Sequence, residues 1–293
     1  MKLATVRIEG LETVVELDQT AGVAWRLVGA DGAPVIELLE IIKAAANGDD
    51  TVRRSDQSLP LGGLVFAAPI PKPIRNLFCV GKNYYEHAKE FARSGYDSSA
   101  KNSTDAVPEF PIIFSKVPEC VIAHEHDIRY PVGVTACLDY EAELAVIIGK
   151  GGIGIAKADA MDHVWGYTII NDITARDLQM RHKQWLIGKS LDTFGPMGPI
   201  AVTADEVDVQ DMGIRCWVND EIRQDSNTRD LIFDIPTLIE SLSAGITLLP
   251  GDIIATGTPA GVGLGFNPPK FLQSGDRVTV EIDGIGKLSN LIK

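Results

Sequence analysis

Cysteine is scarce in this chain, with four in 293 residues. Cys79, Cys120, Cys137 and Cys216 are widely spaced and form no C-x-x-C pair. That excludes a small disulfide scaffold and leaves buried free thiols as the expectation. Basic residues are outnumbered, 27 Lys and Arg against 40 Asp and Glu, for a net charge of −13. A field of that sign disfavours nucleic acid and anionic membrane surfaces as partners. No stretch approaches the apolar length, about 20 residues, that crosses a bilayer. The first twenty residues carry Glu9, Glu12, Glu16 and Asp18 and hold no apolar signal-peptide core. A cytoplasmic enzyme is expected. The glycine-rich stretches GKGGIGIAK and GVGLGF complete neither G-x-G-x-x-G nor a phosphate loop, and read as turns.

What is present suggests two units. Residues 1–70 read as a small N-terminal α/β domain. KLATVRIEG and TVVELD have strand patterning there, and VIELLEIIKAAANG is a helix closing at Asn47-Gly48. Pro69, Pro71 and Pro73 make a stiff connector. Residues 71–293 form the larger unit. NLFCVG, PIIFSK, LDYEAELAVIIG, VWGYTIIND, IRCWVND, DIIATG and RVTVEID read as strands. KNYYEHAKEFARSG and FDIPTLIESLSAG read as helices, and residues 94–107 as a polar surface loop. Strands outnumber helices without regular alternation, so the expected class is α+β, mostly β.

LDYEAELAVIIG, residues 138–149, poses the functional question. Glu141 and Glu143 leave the same face of a strand. Like charges so close raise each other's pKa unless a cation lies between them. A second apolar strand ends at Asp172. Three carboxylates from two strand ends suit a hard divalent cation, Mg2+ or Mn2+, better than zinc, since no His or Cys is spaced to join them. The same spacing also fits a solvated face. Asp139 reads as a residue behind the ligands or facing solvent. His87 and Glu90 share a helix face at i, i+3, as a water-activating pair or a surface pair. Lys189 is a lone lysine in an apolar setting.

VGKNYYEHAKE, LDYEAELAVIIGK, GYTIINDITARDLQ, GKSLDTFGPMGP and GDIIATGTPAGVG together resemble, in order, the signatures of the fumarylacetoacetate hydrolase family. The similarity spans about residues 69–293 and is nearest to members of the acylpyruvate hydrolase and oxaloacetate decarboxylase type with an added N-terminal domain. The resemblance implies a mixed β-sandwich roll, a homodimer, and Mg2+ or Mn2+ on Glu141, Glu143 and Asp172. It implies a catalytic dyad of His87 and Glu90 on a lid helix, with Lys189 as a cation near the substrate. Arg176, Gln179, Lys116 and Thr258 match positions that bind substrate. The implied activity is C–C cleavage in 2-oxo acids, by hydrolysis of 2,4-dioxo acids or decarboxylation of oxaloacetate. An isomerase or lyase of related 2-oxo acids, or a metal-dependent binding protein of the same fold, stays open.

Overall fold

The computed structural model describes residues 1–49, 51–96 and 106–293. Of the expected surface loop, residues 97–105 lie outside the described residues. The N-terminal part forms β1 (Lys2–Ile8), β2 (Leu11–Asp18), β3 (Val23–Val28), α1 (Leu38–Ala46), β4 (Arg53–Pro60) and β5 (Val65–Phe66). Then come β6 (Leu77–Gly81), α2 (Tyr85–Arg93), β7 (Ile112–Lys116) and β8 (Val121–Ile122). The middle holds β9 (Leu138–Asp139), β10 (Ala142–Ile148), β11 (Val164–Asn171), β12 (Thr174–Ala175), α3 (Arg176–His182), α4 (Leu186–Lys189) and β13 (Gly195–Thr203). The chain closes with β14 (Gly213–Val218), β15 (Glu221–Asn227), α5 (Ile235–Ser243), β16 (Ile253–Ala255), β17 (Arg277–Ile282) and β18 (Gly286–Leu291). The class is α+β and mostly β, as the sequence suggests.

Twelve strands share one sheet along the path β4-β3-β2-β1-β13-β11-β10-β16-β6-β7, with β5 on β1 and β8 on β13. β15-β14-β17-β18 form a four-stranded sheet, and β9 pairs with β12. β10 sits centrally between β11 and β16, so its AELAVII run is buried throughout. Leu144, Val146 and Ile148 face the core shared with Ile214, Cys216 and Val280 of the four-stranded sheet. Ala145 and Ile147 face the opposite core, capped by Leu38, Ile41 and Ile42 of α1. Each such fully buried aliphatic contributes roughly 1.5–3 kcal/mol. β1 pairs antiparallel with β13 through Lys2↔Val202 and Leu3↔Ala201, so the large sheet runs from the N-terminal part into the rest.

The strand expected over 138–149 is broken at Tyr140 and Glu141. Side chains replace its ladder bonds there. Glu141 N donates to Asn171 Oδ1 (3.1 Å), and Tyr140 N donates to the carboxylate of Asp139 (3.0 Å). β9 consequently joins β12, while β10 keeps its register with β11, Glu143 opposite Ile170.

Candidate active site and metal centre

The antiparallel register of β10 and β11 brings Glu143 beside the end of β11, where Asp172 follows Asn171. Asp172 N donates to Glu141 O (2.9 Å), which fixes the second strand end against the first. Carboxylate oxygens of Glu141, Glu143 and Asp172 all lie within 4.8 Å of one another, and all three residues are buried.

Three buried cations surround this cluster. Lys189 Nζ lies 2.6 Å from Glu141 Oε2 and 2.7 Å from Asp172 Oδ2. Arg176 Nη1 lies 2.7 Å from Glu141 Oε1, and its Nε donates to Asp139 Oδ2 at 2.8 Å. Lys116 Nζ donates to Asp172 Oδ1 (2.7 Å), to Ile173 O (3.1 Å) and to the carbonyl of Lys189. Burial opposes the charge on Glu141, but Lys189, Arg176 and His87 outweigh it and hold its pKa down to about 2. Burial also opposes the charge on Lys189, and Asp172 and Glu141 overcome it, so its pKa is raised and the ammonium persists.

Glu143 differs. Its hydrogen bond comes from Gly257 N (2.9 Å), and no ion pair reaches it among the described residues. Burial, then the charges of Asp172 and Glu141, push its pKa well above the usual carboxylate range. Lys116, Arg176 and Lys189 thus pair with Asp139, Glu141 and Asp172 and leave Glu143 outside these ion pairs. An oxygen-only donor set with one uncompensated member fits a hard divalent cation.

Helix α2 stands over the cluster. His87, Ala88 and Phe91 make its buried face. His87 Nδ1 meets Glu90 Oε2 at 3.2 Å, and Glu90 Oε1 accepts from Gly261 N at 3.0 Å. A carboxylate on Nδ1 favours the tautomer whose Nε2 is a free base. Asn83 anchors the turn before α2: its Nδ2 donates to Thr256 O (2.8 Å) and its Oδ1 accepts from Phe233 N (2.7 Å).

His87, Glu141, Glu143, Arg176, Gln179, Lys189 and Thr258 line one small cavity. Gln179 Oε1 accepts from Arg176 Nη1 (3.2 Å), and Thr258 Oγ1 accepts from Gln224 Nε2 (2.8 Å). Arg176 Nη2 is buried with no hydrogen-bond partner among the described residues. Lys116, expected among the substrate-binding residues, is fully buried, and its hydrogen bonds go to Asp172 and to two backbone carbonyls. Asp139 does not face solvent. It is fully buried, ion-paired to Arg176, and accepts from Gly263 N (2.6 Å) and Leu264 N (3.1 Å). Unforeseen wall residues are Lys82, Phe91, Phe114 and Trp185. Lys82 has left-handed backbone (φ 55) and places Nζ 5.6 Å from the Phe91 ring centroid. Only the aromatic character near His87 hinted at that wall.

Residues 76–293 match the family model described as fumarylacetoacetate (FAA) hydrolase C-terminal. The oxaloacetate tautomerase YisK of Bacillus subtilis is 54% identical over 226 residues, covering 77% of this chain and 72% of that protein. The mitochondrial oxaloacetate tautomerase fahd2 of Xenopus laevis is 42% identical over 258 residues, covering 87% and 76%. Among solved structures, a fumarylacetoacetate hydrolase of Exiguobacterium antarcticum superposes with TM-score 0.81 at 37% identity, covering 100% of this chain and 99% of that one. A 2-hydroxyhepta-2,4-diene-1,7-dioate isomerase of Mycobacterium marinum gives TM-score 0.76 at 32% identity, covering 100% and 98%. By sequence and by fold, this chain belongs to the fumarylacetoacetate hydrolase family of enzymes.

Proposed function

We propose that this protein is a divalent-metal-dependent enzyme of short 2-oxo dicarboxylic acids, and that it interconverts the keto and enol forms of oxaloacetate. The observation that carries the reading is one small cavity lined by Glu141, Glu143, Lys189 and His87, with Asp172 against the two glutamates and Glu90 against His87. Similarity to two oxaloacetate tautomerases supports the substrate class.

Glu141, Glu143 and Asp172 would hold Mg2+ or Mn2+, which supplies Lewis-acid polarisation of an oxo acid. The remaining chemistry belongs to the chain. Nε2 of His87 takes the proton from the carbon beside the oxo group, and Glu90 steadies the imidazolium that forms. Lys189, unable to act as a base while Glu141 and Asp172 hold its proton, faces the negative charge growing on the oxo oxygen. The proton returns to oxygen or carbon, which completes the tautomerisation without breaking a C–C bond. Arg176 Nη2, buried and unpartnered, is a donor awaiting a substrate carboxylate. Phe91, Phe114 and Trp185 keep water from the cavity.

The second reading is hydrolysis of 2,4-dioxo acids or decarboxylation of oxaloacetate. The same Nε2 can activate a water, and the similarity to a fumarylacetoacetate hydrolase favours that use. One experiment separates the readings. Oxaloacetate is followed in D2O by NMR while pyruvate is assayed, with Mn2+ and with chelator. Tautomerisation gives metal-dependent exchange at carbon 3 far in excess of pyruvate, and His87→Ala slows it roughly 100-fold or more. Pyruvate appearing as fast as exchange points to cleavage. Full activity in chelator rejects the metal site.

A further inference from the structure

Glu90 uses both carboxylate oxygens, one toward His87 Nδ1 and one for Gly261 N. The loop that supplies Gly261 N also supplies Gly263 N and Leu264 N to Asp139. Asp139 holds Arg176, and Arg176 holds Glu141. One glycine-rich loop therefore grips helix α2 through Glu90 and the floor of the cavity through Asp139.

Gly265 closes this loop against Glu90. A Cβ at position 265 would overlap Glu90 Oε1 and Cδ and lie 2.6 Å from its Cγ. Those are its three nearest atoms, and no backbone atom is among them. Gly265 also lies outside the left-handed region, so an alanine strains no dihedral there. What must move is the flexible end of Glu90. An open groove beside Gly265 gives it somewhere to go, and Arg93 lines that groove as an alternative partner.

We propose that Gly265 is a positioning residue for the His87–Glu90 pair: the bare backbone at this point keeps the Glu90 carboxylate between Gly261 N and His87 Nδ1. Docking of α2 on this loop and assembly of the proton-moving pair then share one carboxylate. The inference rests on the role given above to His87 and Glu90.

The test compares Gly265→Ala, Glu90→Gln and the double variant in the full chain, with Mn2+ and oxaloacetate. For Gly265→Ala, kcat should fall about tenfold to 100-fold. KM, Mn2+ affinity by calorimetry and melting temperature should stay near those of the parent. The double variant should be no slower than Glu90→Gln, because both changes remove the same contact. If Glu90→Gln is impaired while Gly265→Ala keeps full kcat, the positioning role is wrong and the pair survives. If Glu90→Gln keeps full kcat, the pair itself is wrong. Additive losses in the double variant, or a Gly265→Ala chain that does not fold, would also overturn the positioning role, since both require a clash with something other than Glu90.

Discussion

At the scale of single residues, Glu141 and Glu143 show that neighbours of one chemistry can have opposite electrostatics. Glu141 is neutralised by Lys189 and Arg176, whereas Glu143 is not. Without metal, Glu143 therefore binds its proton more tightly in the native state than in the unfolded one. Such a group changes nothing at low pH, where both states are protonated. It lowers stability increasingly as pH rises through the ordinary carboxylate range, about 4.3, toward its raised native value. In chelator, Glu143→Gln should melt with the parent near pH 4 and above it by several degrees at pH 7, at about 2–4 °C per kcal/mol. Adding Mn2+ should raise the melting temperature of the parent and leave the variant unmoved. A difference independent of pH would contradict the uncompensated charge. The candidate ligands were legible from the alternation in EAE and from Asp172 at a strand end. For Asp139 the sequence left a place behind the ligands and a place in solvent both open, because its partners Gly263, Leu264 and Arg176 are remote in sequence.

At the scale of elements, α4 delivers Lys189 by packing on α3. Gly188 makes this possible, since a Cβ there would lie 2.6 Å from Gln179 N and 2.9 Å from Ala175 O. These are backbone atoms and cannot swing aside. Gly188→Ala should cost about 1–3 kcal/mol and displace Lys189 from Glu141 and Asp172. Urea unfolding measures the first effect, and loss of activity beyond that of an equally destabilised control measures the second. A neutral result would mean that α3 and α4 separate freely. Helix α2 was readable because its buried positions follow helical spacing. The polar strands β4, RRSDQSLP, and β15, EIRQDSN, escaped because each lies at a sheet edge with much of its length exposed. There pairing, not burial, makes the strand. β13 escaped for a different reason: GPMGPIAVT begins with residues that usually mark turns.

At the scale of the molecule, the pairing of β1 with β13 matters most. Leu3, Val14 and Ile42 pack in one core with Met197, Ala201 and Ile253. The N-terminal part is thus expected to unfold together with the rest. Urea titration followed by tryptophan fluorescence and by far-ultraviolet circular dichroism should give coincident midpoints. Trp25 reports from β3, and Trp165, Trp185 and Trp217 report from the remainder. Two resolved transitions would show independent units. The sequence suggested a boundary at the prolines near residue 70. The contact across it was not, because β1 meets β13 some two hundred positions away.

The placement of the carboxylates at the cavity has a further consequence. Glu141 and Glu143 line the cavity beside Asp172, so a divalent ion held there would stand between their oxygens and those of an arriving dianion. On this reading the ion loads before the acid. Oxalate titrated into chelated protein should leave its melting temperature unchanged, and the same titration after Mn2+ should raise it. Stabilisation by oxalate alone would show that the order is free.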